Sequence, residues 1–152
     1  MCTKKECKVD NSEYKRKLNE QLKAVEASQK RLYDIVKMYN KGSLKRPIQR
    51  ADLVAFPLGI WVDINDKIRA KKRKNRFYSF LNFIVEMEKG AELGVHFHSD
   101  LLESAEVLEG EVIDIMDDNK PYEVGDVAEW KKKEKHQLVS VQKTKLHVLF
   151  KA

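Results

Sequence analysis

Few features of this sequence would cross-link the chain or draw it into a lipid phase. It has only two cysteines, Cys2 and Cys7, both near the N-terminus. Two thiols with four residues between them do not make a disulfide framework,. They read as reduced, exposed thiols on a flexible tail (residues 1–10), or as half of a zinc site that a second chain completes. No apolar stretch approaches the ~20 residues that a bilayer-spanning helix requires. The opening Met1-Cys-Thr-Lys-Lys-Glu-Cys7 is polar and lacks the apolar core of a secretion signal,. The expected compartment is therefore cytoplasmic, with no membrane partner. No internal repeat is visible. Wholesale disorder is also excluded: hydrophobic residues make up 42% of the 152 positions, and the second half is rich in β-branched and aromatic runs,.

The net charge of +6 is unevenly spread. Basic excess sits in Lys4–Arg16, Lys41–Arg50, Arg69–Arg76 and Lys131–Lys135, whereas Glu103–Asp118 is acidic. A mixed surface of this kind is more often solvation than a nucleic-acid footprint.

Two parts follow along the chain. Asp10 and Glu13 fit a capping box that opens a helix over 11–41. Leu18, Leu22, Val25, Gln29, Leu32, Val36 and Tyr39 then recur at alternating spacings of four and three, a heptad seam with one polar interruption,. Tyr14, Ile35 and Met38 broaden the apolar face, and Gly42 supplies the stop. The seam pairs with a second chain, as in a homo-oligomer with a dimer favoured, or it packs along its own domain. Residues 43–52 read as a linker. From Leu53 the pattern changes to short strand signals: Ile60–Ile64, Phe77–Met87, Leu93–His98, Ala105–Leu108, Glu111–Met116, Asp126–Glu129, Gln137–Gln142 and Leu146–Phe150. Short runs separated by Gly, Asn, Asp or Lys clusters, with no helical pattern between them, indicate a sandwich or barrel over 53–152.

The chemistry concentrates there. His96 and His98, one residue apart on a strand pattern, direct their imidazoles to the same face. Glu103 follows after a short connection, and His136 comes from a separate stretch. Imidazole and carboxylate together suit first-row divalent metals. This donor set would leave two coordination positions open to an exogenous ligand. Taken alone, the histidine pair reads equally well as an ordinary strand feature.

At this point the sequence resembles the cupin superfamily. Gly90, His96, His98, Glu103 and Gly110 reproduce the fixed positions and gaps of the first cupin motif: Gly, five residues, His-x-His, three or four residues, Glu, six residues, Gly. The second motif is matched at Gly125 and His136, with Lys131, Lys133 and Ser140 standing where proline, glycine and asparagine are usual. The resemblance implies a mainly β chain: a cupin-type double-stranded β-helix, or jelly-roll barrel, preceded by the long helix. It also implies one divalent ion (Fe, Mn, Ni or Zn) on His96, His98, Glu103 and His136. The helix lies outside the matched region.

Other residues are weighed against plainer roles. Alternation from Glu103 places Ala105 and Val107 toward the interior, as a pocket wall or as plain core. Asn82, Trp130 and His147 are candidates to line the pocket, each with a core or surface alternative. Arg69–Arg76 carries six positive charges in eight residues. Lys71, Lys72, Arg73 and Lys74 are either a solvated hairpin tip or a polyanion contact. No aromatic interleaves them, so base stacking is disfavoured and nucleic acid is not the preferred partner. The expected function is a metal-dependent enzyme of dioxygenase, isomerase or lyase type acting on a small polar metabolite. The alternative is a non-catalytic ligand- or metal-sensing module that oligomerises through its helix.

Overall fold

The structure, a computed structural model, describes residues 4–75 and 80–152, with side chains from Ser12 onward. Cys2, the Cys7 side chain, Arg76 and the Phe77–Ser79 part of the third expected strand therefore lie outside the described residues. Helix α1 (Lys4–Lys41) and a short helix α2 (Arg50–Val54) lead into nine strands. These are β1 (Trp61–Asn65), β2 (Ile68–Arg73), β3 (Phe80–Met87), β4 (Leu102–Glu109), β5 (Glu111–Asp114), β6 (Lys120–Glu123), β7 (Val127–Trp130), β8 (Leu138–Ser140) and β9 (Thr144–Lys151).

The strands pair antiparallel in two sheets, β1-β2-β3-β9-β4-β7 and β6-β5-β8. Strands β4, β5 and β7 are near in sequence but divided between the sheets, which gives the jelly-roll layout. Alternation builds the core. Leu146, Val148 and Phe150 of β9, Ala105 and Val107 of β4, and Phe83 and Met87 of β3 are all buried. The inner face of β3 is thus the Phe83, Val85, Met87 face, and Asn82 lies on the other.

Several expectations are corrected. The α1 backbone is helical from Lys4, so Asp10 lies inside the helix, not at its N-cap. The linker 43–52 runs into α2. Its Asp52 is wholly buried and accepts hydrogen bonds from Arg31 Nε of α1 (3.1 Å), Arg46 Nη2 (2.7 Å) and the Gln49 backbone N–H (2.9 Å). The cluster expected at a hairpin tip is largely strand β2, hydrogen-bonded between β1 and β3. Its period-2 pattern is masked by charge: Ile68 and Ala70 are buried, and Lys72 sends its ammonium to the Val54 carbonyl at 2.9 Å. Strand β6 also escaped the pattern, because only Tyr122 buries an apolar side chain there.

The expected strand Leu93–His98 survives only as isolated bridges, Glu92 to Val139 and His96 to His136. The interruption has a local cause. Gly94 N–H donates to the Tyr39 carbonyl (2.5 Å) and Ser43 N–H donates to the Val95 carbonyl (2.8 Å), so the end of α1 takes up the backbone groups of this segment. A Cβ on Gly94 would stand 2.2 Å from the Gly42 nitrogen, so only glycine permits the approach. Gly42 closes α1 as the sequence indicates, with φ +79° and its N–H on the Met38 carbonyl at 2.8 Å,.

The seam of α1 divides in two. Ile35 and Tyr39 are buried, and Leu32, Val36 and Met38 pack against the barrel core. Tyr14, Leu18, Leu22 and Val25 are exposed. Among the described residues, no helix is long and apolar enough to cross a membrane.

Candidate metal centre

Four side chains from three stretches converge inside the barrel. Glu103 projects inward from β4. His96 and His98 come from the broken strand before it, and His136 comes from the turn before β8. His96 and His136 are locked in register by reciprocal backbone hydrogen bonds of 3.2 and 3.0 Å. All four side chains are buried, and one ligand atom from each lies within 4.8 Å of the others.

Backbone carbonyls set the imidazoles. Nδ1 of His96 faces the Gly94 carbonyl at 2.7 Å, Nδ1 of His98 the Ile48 carbonyl at 2.8 Å, and Nδ1 of His136 the Glu134 carbonyl at 3.2 Å. A carbonyl can only accept, so each ring carries its proton on Nδ1 and presents a lone pair at Nε2. Glu103 Oε1 and Oε2 sit 3.1 and 3.3 Å from Nε2 of His98 and His136. Neither contact is aligned as a hydrogen bond, and both nitrogens are buried without a partner. Buried polar atoms in proteins are almost always satisfied. Two orphaned ring nitrogens facing a carboxylate and a third imidazole have the chemistry of a divalent-metal donor set.

The four groups shift one another's titration, in different directions. Burial pushes the His96 pKa down to about 3, helped by the neighbouring imidazoles of His136 and His98. Burial alone would raise Glu103, but His136 and His98 more than offset it and hold the carboxyl below its usual range. Burial works against a charged His136, yet Glu103 outweighs it and raises this imidazole above the ordinary value. Trp130 lies flat on His136, with ring centroids 4.4 Å apart and planes 18° from parallel. Its Nε1 donates to Asp114 Oδ2 at 2.9 Å, and Asp114 Oδ1 accepts the Gln137 N–H at 3.2 Å. Asp114 therefore steadies His136 from two sides.

Beside the four groups lies a cavity of about 60 Å³. That exceeds the ~10–15 Å³ needed to admit one water. Its walls are apolar apart from His96, Glu103, His136 and Tyr39, and Tyr39, Leu53 and Phe56 reach it from the N-terminal segments. Tyr39 meets His96 edge-on, with centroids 4.8 Å apart. Burial raises its phenol pKa well above the ordinary value, reinforced by the charges of Glu103 and Asp52, so it stays protonated.

No family model and no curated protein matches the sequence. Solved structures do match. KdgF from Halomonas sp. superposes with a TM-score of 0.56 at 18% identity, over 60% of this chain and 86% of that one. An RmlC-like cupin from Shewanella frigidimarina NCIMB 400 gives 0.53 at 22%, over 63% and 88%. Ectoine synthase from P. lautus gives 0.51 at 16%, over 60% and 67%. The fold is that of the cupins. At such identities the likeness concerns the fold, and the cupin barrel here carries a donor set that stands on its own geometry.

The departures from the second cupin motif leave His136 in place. Lys133, where cupins usually have glycine, adopts the glycine-like backbone with φ +69°, and its N–H donates to the His98 carbonyl at 2.6 Å. Ser140, where asparagine is usual, is buried and donates its hydroxyl to the Glu88 carbonyl at 2.5 Å.

The remaining candidates fall in different places. Ala105 lines the cavity, whereas Val107 is buried in the core beyond the lining. Trp130 sits behind His136, outside the cavity. Asn82 and His147 do not reach it. They share the outer face of the large sheet, where Asn82 Oδ1 and His147 Nε2 are 2.8 Å apart. The basic residues do not share one face. Lys72 points inward, Lys71 is 4.7 Å from the Trp61 ring on the outer face beside Arg69, and Lys74 follows the end of β2. Sequence reasoning missed Tyr39, Leu53 and Phe56 as cavity residues. Tyr39 was legible only as part of the heptad seam, and nothing local marks the other two.

Proposed function

We propose that this chain is a metal-dependent enzyme that uses His96, His98, Glu103 and His136 to hold one divalent ion and acts on a small polar ligand. The orphaned Nε2 atoms of His98 and His136 facing Glu103 carry this reading. The bound ion would act as a Lewis acid toward an exogenous ligand, as dioxygenase, isomerase or lyase chemistry requires. The chain's own residues orient the three imidazoles through backbone carbonyls at Nδ1, and exclude bulk water with Leu53, Phe56, Val148 and Phe150. A substrate larger than a few atoms requires the cap formed by the end of α1 and α2 to shift.

Elemental analysis tests this reading. The purified chain is expected to carry or take up about one equivalent of iron, manganese, nickel or zinc, and Glu103→Gln is expected to weaken uptake by at least about tenfold, in line with loss of a ligand. A substrate screen with and without chelator then separates turnover from binding. A chain that neither contains nor acquires stoichiometric metal would end the idea.

One observation favours a second reading, a sensing module. Helix α1 supplies Tyr39 to the cavity and also extends an exposed seam of Leu18, Leu22 and Val25 away from the barrel. Occupancy at one end of a rigid helix can be read by a second copy of the chain paired at the other.

A further inference from the structure

The cavity beside the metal centre has one protic wall group outside the donor set, and it comes from the N-terminal helix instead of the barrel. Among the described lining residues, Tyr39 alone joins His96, Glu103 and His136 in carrying a polar side chain; the rest are aliphatic or phenylalanine. Its side chain is about nine-tenths buried. No hydrogen bond to its hydroxyl is found among the described residues. The hydroxyl keeps accessible surface, unlike the buried Nε2 atoms of His98 and His136, so a water in the cavity can meet it in the ligand-free protein,.

The ring is held firmly. Gly94 N–H binds the Tyr39 carbonyl while the Gly94 carbonyl accepts from His96 Nδ1, so one glycine joins the Tyr39 backbone to a donor imidazole. The close backbone approach of Gly94 to Gly42 fixes the end of α1 against that segment. One helical turn back, Ile35 is wholly buried, and Arg31 is anchored on Asp52.

We infer that Tyr39 donates a hydrogen bond to the exogenous ligand of the metal centre, and so selects a small anion or oxygen-bearing molecule with an acceptor atom facing the helix. The inference rests on the metal-centre reading above. Its physical content is that the phenol is preorganised at the cavity wall with no protein partner, so a ligand acceptor replaces whatever water meets it in the free protein. Such a donor discriminates by acceptor chemistry, because a ligand lacking an acceptor leaves the hydroxyl unpaired.

The test compares wild type with Tyr39→Phe, using cobalt(II) as a visible-absorbing ion and azide as the probe anion. Cobalt affinity is expected to stay within about threefold, since Tyr39 is not a ligand. Azide binding, read from the cobalt spectrum, is expected to weaken about tenfold or more, as for loss of a hydrogen bond to a charged acceptor. The metal-free variant is expected to melt within about 2 °C of wild type, because the ring packing is kept and no protein hydrogen bond is lost. An azide response identical in both proteins, including none in either, overturns the inference and leaves the metal centre standing. A metal-free Tyr39→Phe that melts well below wild type, or fails to fold, also overturns it, by showing that the hydroxyl serves the apo structure. Wild type that takes up no cobalt defeats the metal reading itself, and this inference with it.

Discussion

Lys133 shows how one residue can depart from a motif while the backbone keeps it. The left-handed conformation places the Lys133 N–H on the His98 carbonyl and sets up the turn that delivers His136. A non-glycine residue there costs ~1–2 kcal/mol, partly offset because glycine loses more chain entropy on folding. Lys133→Gly is therefore expected to stabilise the fold by about 0.5–1 kcal/mol, measured by denaturant unfolding. An equal loss would show that the lysine side chain makes a compensating contact. His96 and His98 were legible at this scale, because His-x-His on an extended backbone dictates a shared face, whereas Glu103 and His136 were grouped with them by the resemblance to the cupin motifs. Tyr39 was not. A tyrosine at a heptad position carries no local sign that its hydroxyl will face a cavity.

Helix α1 is the element whose role its own pattern leaves open. The seam is continuous in sequence, yet only its last third meets the barrel, because Gly42 and Gly94 allow the two backbones to approach there and nowhere earlier. Asp52 completes the attachment by joining Arg31 of α1 to Arg46. Burial alone would raise its carboxyl, but the hydrogen bonds from Arg46, Gln49 and Arg31 outweigh that and hold it below the usual range. A depressed native pKa stabilises fully above the unfolded value of about 3.9, and the contribution fades as pH falls through the native value. Asp52→Asn is expected to cost about 2 kcal/mol near neutral pH, at the modest end for charge-assisted bonds because both arginines are half-exposed. The gap between the melting curves of variant and wild type should stay constant from about pH 5 to 7 and narrow below about pH 4. A gap that does not change across this range would mean the carboxylate charge is not what fastens the helix. At this scale β1, β3, β4 and β9 were legible from alternation. Strand β2 was not, since lysine and arginine can bury their stems while keeping their heads solvated or hydrogen-bonded.

For the molecule as a whole, the exposed seam sets the expectation about assembly. Three apolar residues, Leu18, Leu22 and Val25, project from a helix roughly 57 Å long, at 1.5 Å per residue,. If this stretch pairs with a second copy, full-length protein is dimeric in light scattering and Leu18→Ser, Leu22→Ser, Val25→Ser together yield a folded monomer. A dimer that survives the triple variant would place the contact elsewhere, and a monomeric wild type would remove the pairing half of the sensing reading. Truncating the helix altogether is a poorer experiment, because Ile35 and Tyr39 belong to the barrel's core.

The jelly-roll class, the stop at Gly42 and the four side chains that cluster in the barrel could all be read before the fold was known. Alternation gave short strands, a left-handed cap gave the stop, and the resemblance to the cupin motifs supplied the jelly-roll and the grouping of His96, His98, Glu103 and His136. Tertiary structure alone decided that the helix end closes the barrel, that the strand carrying His96 and His98 is broken to receive it, and that Asn82 and His147 face away from the cavity. Those outcomes depend on which surfaces meet after the chain has folded back over 50 residues or more, as in the His98 to Ile48 and Arg50 to Asp100 contacts. No local pattern encodes an encounter at that separation.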